Sequence, residues 1–481
     1  MNVLFVASKK DSPFPRIPLA NQTDIHLGLS YLSAHLQRHG HRTRLLALNR
    51  LNRNLAQRVV RNFRPQLICF TAVASEYPFI AQVARSIKKR TPDVFLIAGG
   101  VHVTLNPRTC INDGFDALCV GEGEAPLLEL VQQLEKGQTP TGIQNLWFRH
   151  GLETEENPTR PFIQDLDDLA FPDRQMWQEW IKYPASRSSI LLGRGCPFNC
   201  TYCCNPALRE IASGRYVRFR SPENIIREVE HVADRFRDVN EIYLEVETIG
   251  VKKDWAISLC DRLEHFNRSR RVPIGFGANL RITPKADFEE LFAAMKRANI
   301  TSLSVGLESG SERVRREILH RIYSNDDVVR TVELARKYHL RVGFYNMIGL
   351  PGETIDDFRQ TVEVNRTCQP DWHSAYIFFP YPGTALHTLC REKGLLTGPL
   401  DMTNERYKPV LDLPGFSKRQ IQTASTWFSY YVHKGHMPLH KILHRVFLTR
   451  ILSNYSLARL YSLTDFGILK RLRRLLKAAQ S

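Results

Sequence analysis

Short apolar runs alternate with helical stretches in two separate regions of this 481-residue chain. The first region contains apolar runs at 2–6, 67–71, 94–98 and 116–120, and helical periodicity over 27–38, 77–90 and 125–134. Such alternation predicts an α/β fold built on a parallel sheet. Parallel sheets bind ligands at the carboxyl ends of their strands, where Gly99, Gly100 and Gly121 follow two of these runs. The glycines alone leave a nucleotide or flavin site open.

A second set of apolar runs predicts six more strands, near 188–192, 241–246, 273–278, 301–306, 341–348 and 374–379. Six successive βα units fit a partial (β/α)6 barrel, in which chemistry is expected at the carboxyl ends of the strands. Proline and acidic residues mark the segment between the two regions as a polar linker. We therefore predict a first domain over 1–150, a linker over 151–187, a barrel over 188–400 and a helical, basic region over 401–481.

The composition is that of a globular protein from a reducing compartment. Apolar residues make up 43% of the chain, enough for several cores. The ten cysteines are scattered except for one cluster, and no leader segment precedes the first apolar run. No run reaches the roughly 18 consecutive apolar residues that span a bilayer. The sequence thus predicts a cytoplasmic protein.

The net charge of +17 is concentrated near the C-terminus. Residues 434–481 hold ten Lys or Arg and one acid, Asp465. Two amphipathic stretches occur there, around 439–447 and 468–476. A helix that is apolar on one side and cationic on the other predicts peripheral contact with the anionic inner face of a membrane. Packing of this helix onto the barrel or onto a partner subunit is the alternative.

Three cysteines, Cys196, Cys200 and Cys203, are spaced CxxxCxxC in a loop after the first strand of the second region. Four cysteines usually hold an electron-transfer cluster, so three predict a [4Fe-4S] cluster whose fourth iron can bind another molecule. A zinc site would need a fourth Cys or His nearby, and the adjacent Cys204 points elsewhere in any extended or turn geometry. The loop therefore predicts a metal cluster with an open corner.

This loop resembles that of the radical S-adenosylmethionine (SAM) enzymes. In that family the residue before the third cysteine is aromatic and covers the adenine of SAM, and Tyr202 occupies this place. The resemblance implies that Cys196, Cys200 and Cys203 bind the catalytic cluster and that SAM chelates its free iron through amino and carboxylate groups. The protein then has to position SAM and substrate and to exclude water.

The predicted strand ends that follow also resemble this family. Glu245 and Glu247 end the second strand, where the family has paired acids, although Val246 replaces the first of them. The resemblance implies that they accept the amino group of SAM. Arg281 ends the third strand, where a guanidinium can pair with the carboxylate of SAM.

Further matches occur at the fourth, fifth and sixth strand ends. Glu308 and Ser309 match the segment that contacts the ribose hydroxyls in the family. Gly349 and Pro351 belong to a Gly-x-Pro-x-Glu-Thr turn near the adenine, and Tyr381 belongs to a Pro-Tyr-Pro-Gly-Thr turn. Each motif alone is typical of an ordinary turn. Their order after the cysteine loop is what favours a SAM site.

The first region resembles the cobalamin-binding domain that precedes many radical SAM domains. The segments Gly99-Gly-Val-His-Val-Thr104 and Gly121-Glu-Gly-Glu124 carry this resemblance. It implies a flavodoxin-like (Rossmann-type) domain in which glycines admit the corrin and its nucleotide tail. The residues implied in cobalamin binding are Gly99, Gly100, His102, Thr104, Gly121, Glu122, Gly123, Glu124 and His26.

His26 lies in Asp24-Ile-His-Leu-Gly28, which is one residue shorter than the DxHxxG motif of methionine-synthase-type domains. In that motif the histidine is the lower axial ligand of cobalt. His26 is therefore either a cobalt ligand or a residue that caps or packs at a helix start.

The combined resemblance implies a cobalamin-dependent radical SAM enzyme served by an external one-electron reductant. We interpret it as a methyltransferase acting on an unactivated carbon of a lipid or natural product. Relatives with the same domains catalyse cyclisation or rearrangement, and the sequence does not separate these reactions. Radical modification of RNA fits the net charge, but no separate RNA-binding domain follows the barrel and the first third lacks the methylthiotransferase cysteines. A non-enzymatic cobalamin sensor would leave the cysteine loop without a purpose.

Overall fold

The computed structural model describes residues 1–12, 17–19, 22–182, 187–236, 238–396, 398, 400–402 and 405–452. The first domain is a seven-stranded sheet in the spatial order β2-β1-β3-β4-β5-β6-β7. The first five strands are parallel and the last two are antiparallel. The strands are β1 (Asn2–Ser8), β2 (Arg42–Leu48), β3 (Leu67–Thr71), β4 (Phe95–Gly99), β5 (Ala117–Cys119), β6 (Leu146–His150) and β7 (Glu153–Glu156).

Six helices connect these strands, and the parallel part has the doubly wound order of a flavodoxin-like sheet. The helices are α1 (Leu27–Arg38), α2 (Leu55–Phe63), α3 (Tyr77–Arg90), α4 (Val101–Leu105), α5 (Pro107–Cys110) and α6 (Glu124–Glu135). The predicted helix over 27–38 and the predicted strand over 67–71 are confirmed to the residue. The sequence pattern missed β2 because its first half carries two arginines on an exposed edge and only its last four residues are buried.

The linker contributes to the core of the first domain. A 3-10 helix, Gln175–Trp180, places Trp177 in contact with this core, where its side chain has no solvent exposure. The indole Nε1 of Trp177 donates to Ser30 Oγ on α1 over 2.7 Å. A parallel bridge between Leu19 and Ile181 joins the end of the linker to the same domain. The linker is thus polar in composition but anchored by buried aromatic residues.

The second domain contains a six-stranded, fully parallel sheet in the order β15-β14-β13-β12-β11-β8. Within the described residues its two edge strands do not pair, so the barrel is partial, as predicted. Its strands are β8 (Arg187–Leu191), β11 (Glu241–Glu245), β12 (Gly275–Leu280), β13 (Ile300–Glu308), β14 (Arg341–Ile348) and β15 (Trp372–Ile377), and a separate antiparallel pair comprises β9 (Gly193–Arg194) and β10 (Arg218–Phe219).

Helices cover the outside of the barrel and bury one side of each strand. On β11, for example, Ile242 and Leu244 are fully buried in this outer core while Tyr243 and Glu245 alternate with them. Two helices begin with capping boxes, at Ser324 and Thr354. The helices are α7 (Asn205–Arg209), α8 (Pro222–Arg235), α9 (Lys253–Arg268), α10 (Glu289–Arg297), α11 (Asn325–Lys337), α12 (Ile355–Cys368) and α13 (Ala385–Glu392).

The basic C-terminal region begins with two packed helices, α14 (Lys418–His433) and α15 (Leu439–Leu452). Ile442 and Val446 of α15 are buried, whereas Leu439, Leu443 and Phe447 are exposed. The second predicted amphipathic stretch, 468–476, lies outside the described residues. No helix among those described is both long and apolar enough to cross a bilayer.

Candidate active site

The cysteine loop leaves the barrel after β8 through the short pairing of β9 with β10. In this pairing Arg194 lies opposite Arg218. Gly195 has a φ of +86°, and a Cβ there would lie 2.3 Å from the carbonyl oxygen of Tyr216. Only glycine is tolerated at such a close backbone approach. The pairing therefore fixes the path of the chain immediately before Cys196.

Nitrogen donors point at two of the three loop thiols. Arg281 Nη1 donates to Cys200 Sγ over 2.8 Å. The backbone N and the Nδ2 of Asn205 donate to Cys203 Sγ over 3.4 and 3.5 Å. Cys200 is buried, and Cys196 and Cys203 are half-buried. N–H donors stabilise the thiolate, which is the form that binds iron, so this donor set fits a thiolate-ligated cluster.

The two adjacent cysteines differ in protonation. A hydrogen bond from the Cys204 thiol, with help from Asn205 and against the effect of burial, lowers the pKa of Cys203 to about 6. The same contact and burial raise the pKa of Cys204. Burial raises the pKa of Cys196 to about 11. Cys204 therefore acts as a donor to Cys203.

The positions of the potential ligand side chains argue against the zinc alternative. Among the described residues, no three His, Cys, Asp or Glu side chains converge so as to hold a single metal ion. A zinc site needs such convergence. In a cubane cluster each thiolate binds a different iron, so the three thiols need only surround a larger body.

Tyr202 is half-buried, and its hydroxyl group is held by two side chains of the barrel. It donates to Glu308 Oε1 over 2.8 Å and accepts from Arg321 Nη1 over 2.9 Å. Arg321 Nη1 also lies 3.2 Å from Glu308 Oε1. A Cβ on Gly306 would lie 2.2 Å from this carboxylate, so a larger residue there would displace the Glu308 side chain. Burial and the Glu308 charge raise the pKa of Tyr202 well above its usual value, which keeps the phenol protonated.

Of the two predicted acids, Glu247 lies near the thiols and Glu245 lies near Glu247. Burial and then the charge of Glu247 raise the pKa of Glu245, and the charge of Glu247 also contributes to the raised pKa of Cys196. The Arg281 guanidinium, which donates to Cys200, also stacks on Phe198, 4.0 Å from the ring centroid. Its Nε is buried without a hydrogen-bond partner among the described residues. An unpaired guanidinium donor fits the carboxylate of the methionyl part of SAM, and the two acids fit its ammonium group.

Two other predicted contacts are occupied by protein partners. Ser309 is fully buried, and its Oγ lies 3.3 Å from Thr361 Oγ1 on α12. The Tyr381 hydroxyl accepts from Arg406 Nε over 2.7 Å. Ser309 therefore ties β13 to the outer helix layer, whereas Tyr381 is linked to the region that follows the barrel.

The predicted adenine turn is held by a residue that the site prediction omitted. The carboxylate of Glu353 accepts from the backbone N of Gly349 over 2.6 Å and of Leu350 over 2.9 Å. Glu353 is 1% exposed, and burial raises its pKa to about 8. Pro351 is buried within the same turn. The Gly-x-Pro-x-Glu-Thr motif already contained Glu353, so the signal for it was present in the sequence.

A cavity of about 460 Å³ opens at the carboxyl ends of β3, β4 and β5, beside α1 and α6. Its wall includes His26, Gly99, Gly100 and residues 121–124 from the first domain, and Arg194 from the second. A Cβ on Gly28 would meet no atom within 4 Å, so this part of the wall faces open space. A largely apolar cleft at the carboxyl edge of a doubly wound sheet fits a corrin cofactor.

His26 lines this cavity with its ring stacked on Trp177. The ring centroids are 5.8 Å apart and the planes differ by 8°. Burial, and then the charge of Lys9, lower the pKa of His26, so its imidazole is neutral. His102 and Thr104 are not among the described lining residues: His102 packs on Tyr77, and Thr104 Oγ1 accepts from the backbone N of Gly121 over 3.1 Å.

The cavity and the cysteine loop share one residue. Arg194 Nη1 lies 2.8 Å from Glu122 Oε1, and Arg194 Nη2 lies 2.5 Å from Glu124 Oε1. Arg194 precedes Cys196 by two residues. The two predicted cofactor sites therefore lie side by side at the domain boundary. Neither Arg194 nor Arg321 was identified from the sequence, because neither occupies a recognisable motif position.

Comparison with known protein families agrees with this arrangement. Residues 190–364 match the model of the radical SAM superfamily, and residues 22–131 match the model of the B12 binding domain. The two matches fall on the barrel and on the doubly wound sheet, in the order that the sequence predicts.

Curated relatives cover most of the chain. An uncharacterized methyltransferase of Pyrococcus horikoshii is 28% identical over 90% of this chain and 93% of its own length. The hopanoid C-3 methylase of Methylococcus capsulatus is 24% identical over 85% of this chain and 77% of its own length. The anaerobic magnesium-protoporphyrin IX monomethyl ester cyclase of Rubrivivax gelatinosus is 24% identical over 74% of this chain, which spans 64% of that protein.

Solved structures share the fold. The cobalamin-dependent SAM radical enzyme OxsB, with aqua-cobalamin and SAM bound, aligns with a TM-score of 0.69 and 16% identity over 98% of this chain and 75% of its own. The radical SAM methyltransferase TsrM of Kitasatospora setae aligns with a TM-score of 0.65 and 17% identity over 83% of this chain and 77% of its own. With both family models matched in sequence and this two-domain fold shared, the chain belongs to the cobalamin-binding radical SAM enzymes, whose cofactors are a [4Fe-4S] cluster, SAM and cobalamin.

Proposed function

We propose that this enzyme transfers a methyl group to an unactivated carbon of a small-molecule or lipid substrate. Per product, one C–H bond of the substrate becomes a C–CH3 bond. One SAM is converted to S-adenosylhomocysteine, and a second is converted to methionine and 5′-deoxyadenosine. Two electrons enter from an external one-electron reductant, and the atoms and charges then balance.

The observation that carries this proposal is the shared Arg194. A residue of the cobalamin-side cavity begins the loop that holds the three cysteines, so a methyl carrier and a radical source would lie on either side of one substrate position. Cobalamin supplies a bound methyl group in such a site, and the cluster with SAM supplies a 5′-deoxyadenosyl radical. The similarity to two proteins named as methyltransferase and methylase supports the same reaction.

We assign the roles of the chain's own residues as follows. Cys196, Cys200 and Cys203 ligate three irons, and the N–H donors from Arg281 and Asn205 stabilise two of these thiolates. The unpaired Arg281 Nε binds the carboxylate of SAM, and the acids at the end of β11 receive its ammonium group. Glu308, held by Arg321, faces the ribose side, and the turn held by Glu353 supports the adenine. These contacts position SAM and exclude water around it.

Methyl-labelled SAM tests the reaction directly. With the true substrate, the product should carry the label, and S-adenosylhomocysteine and 5′-deoxyadenosine should form in comparable amounts. An unlabelled product formed with 5′-deoxyadenosine but without S-adenosylhomocysteine would exclude methyl transfer while leaving the fold and cofactors unaffected.

The alternative is a cobalamin-dependent radical cyclisation. The similarity to the Rubrivivax gelatinosus cyclase favours it, because that similarity extends over 74% of this chain. In a cyclisation only one SAM is consumed per product, and its methyl group leaves with methionine. The labelling experiment therefore separates the two reactions.

We also propose that α15 brings the enzyme to an anionic membrane surface and thereby to a lipid substrate. Leu439, Leu443 and Phe447 form an exposed stripe beside the buried Ile442 and Val446 on α15. The segment 434–452 carries four Lys or Arg and no acid. An exposed apolar stripe flanked by cations is complementary to the interface of an anionic bilayer.

A further inference from the structure

We infer that Glu122 and Glu124 are positioning residues that hold the cysteine loop at a fixed distance from the cobalamin cavity, through ion pairs with Arg194 and Arg218. This inference rests on the proposed function, since the distance matters only if both cofactors act on one substrate. It assigns these acids a role different from the direct cobalamin contact that the family resemblance implies.

The carboxylate of Glu122 is fully engaged by protein donors. Its Oε1 lies 2.8 Å from Arg194 Nη1 and 3.0 Å from Arg218 Nη1. Its Oε2 accepts from Arg218 Nη1 over 3.0 Å and from the backbone N of Ile163 over 2.7 Å. Four contacts on two oxygens use the acceptor capacity of the group. Glu122 is thus oriented toward the barrel and the linker.

Glu124 completes the clamp on the same guanidinium. It is the first residue of α6 and 5% exposed, and its Oε1 accepts from Arg194 Nη2 over 2.5 Å. The Arg194 guanidinium also lies over the ring of Tyr31 on α1, 5.7 Å from the ring centroid. Two carboxylates and one aromatic ring therefore hold Arg194 from both helices that flank the cavity. A planar guanidinium held in this way has little freedom to reorient.

One connection from the clamp to the thiols runs along the backbone. A single residue, Gly195, separates Arg194 from Cys196, and its backbone has a positive φ and lies so close to Tyr216 that an added Cβ would be 2.3 Å from the Tyr216 carbonyl oxygen. A shift of the Arg194 side chain is therefore transmitted to Cys196.

The second connection runs through hydrogen bonds to the other end of the loop. Arg218 Nε donates to the carbonyl of Tyr216 over 3.1 Å. The Tyr216 hydroxyl donates to Asn205 Oδ1 over 2.6 Å, and Asn205 donates to Cys203 Sγ through its backbone N and its Nδ2. Glu122 is thus linked to both ends of the cysteine loop.

The network is buried and ionic, so its members depend on one another. Removal of one partner leaves an uncompensated buried charge. A fixed register between two parts of a protein is the best-supported use of such buried polar networks. A displacement of about 1 Å between reacting groups can cost roughly 100-fold in rate, so precise docking of the domains has a direct chemical benefit.

The test compares Glu122→Gln and Arg194→Lys with the control Glu129→Gln. Glu129 lies on the same helix, α6, and pairs with Arg160 of the linker over 2.8 Å, away from the cysteine loop. All variants are reconstituted with iron, sulfide and cobalamin. The primary measurement is the magnetic dipolar interaction between cob(II)alamin and the reduced cluster, which reports their separation and needs neither substrate nor turnover. The secondary measurement is the ratio of 5′-deoxyadenosine to methylated product.

We expect Glu122→Gln and Arg194→Lys to retain iron and cobalamin but to show a shifted or broadened dipolar interaction, and Glu129→Gln to match the wild type. The ratio of 5′-deoxyadenosine to methylated product should rise at least about threefold in the two clamp variants, because radicals form without productive transfer.

An unchanged dipolar interaction in both clamp variants would overturn the inference. Loss of cobalamin with an unchanged interaction in the loaded fraction would overturn it as well, in favour of direct contact. If one clamp variant fails to fold, the dipolar interaction measured in the other variant decides whether the inference holds. Failure of methyl transfer in the wild type would reject the proposed reaction without affecting the dipolar measurement.

Discussion

The hydroxyl of Tyr202 donates to the carboxylate of Glu308 over 2.8 Å, and this bond joins the cysteine loop to the end of β13. Tyr202 directly precedes Cys203, so the bond constrains the third thiol as well as the aromatic ring. Arg321 completes the triangle by donating to both oxygens. Arg321, which follows β13 in the chain, thus supports the Tyr202–Glu308 hydrogen bond between the cysteine-loop motif and the motif at the end of β13.

Arg321→Met should destabilise the protein by about 3 kcal/mol, because the Glu308 carboxylate is then left buried without its cation. Arg316→Met is the matched control, since Arg316 is exposed on the same segment. Chemical denaturation of the protein without cofactors measures the difference. Equal stability of the two variants would show that Glu308 finds other partners.

Each of the single variants Cys196→Ala, Cys200→Ala and Cys203→Ala should lose SAM cleavage. The Cys204→Ala variant should still cleave SAM. The wild type should bind about four irons and four sulfides after anaerobic reconstitution. Iron and sulfide analysis and 5′-deoxyadenosine formation measure these outcomes. Cluster loss in Cys204→Ala, with retention in one of the other three, would reverse the ligand assignment.

His26→Ala should leave the visible spectrum of bound cobalamin unchanged. The imidazole lies flat against Trp177, and its motif is one residue short of that of a cobalt ligand. Absorption spectra of the cobalamin-loaded wild type and variant make the comparison. A shift of the cobalt bands in the variant would instead identify His26 as the lower ligand.

Glu353 should make stability fall as the pH rises. Its pKa in the folded protein is about 8, whereas its ordinary value is 4.5. Between these values the folded state keeps a proton that the unfolded state has lost, so the contribution of Glu353 is full below about pH 4.5 and is lost as the pH approaches 8. Glu353→Gln cannot ionise, so its thermal midpoint should decline less between about pH 5 and pH 8 than that of the wild type.

The exposed Glu363→Gln serves as the control for this pH experiment, because Glu363 lies on α12 outside the turn. It should follow the wild-type curve. Parallel declines of the wild type and Glu353→Gln would remove Glu353 as the titrating group.

The double variant Leu443→Ser/Phe447→Ser should bind anionic liposomes about tenfold more weakly than the wild type, because two apolar side chains no longer enter the interface. Leu152→Ser is the control, since Leu152 is 99% exposed on the distant β6–β7 turn. Liposome sedimentation at low salt measures binding, and added salt should weaken it. Unchanged binding by the double variant would exclude the stripe, and a changed oligomeric state would indicate a partner subunit instead.

Local pattern predicted most of the fold, because each strand and helix of an α/β protein carries its own periodicity. The runs 67–71 and 341–348 are strands with the predicted ends. The motif residues Glu308 and Gly349 also lie at strand ends, as the sequence order implied. The antiparallel pair β6 and β7 was not predicted, because Glu153–Glu156 is exposed and acidic and is held by pairing with its neighbour.

The contacts that could not be predicted all join residues far apart in the chain. Arg194 and Glu122 are separated by 72 positions, and Tyr202 and Arg321 by 119. No local periodicity records such a pair, and arginines are common in this chain. Ser309 is the opposite case: its motif predicted contact with the cofactor, but its side chain points into the protein toward Thr361.

The burial of Trp177 determines where this protein can be divided. A fragment that ends at residue 150 would keep α1 but lose the indole that covers His26 and binds Ser30. It would also lose β7 and the Leu19–Ile181 bridge. An autonomous corrin-binding fragment must therefore extend to about residue 182, and any transplantation of this module onto another barrel would have to carry the linker with it.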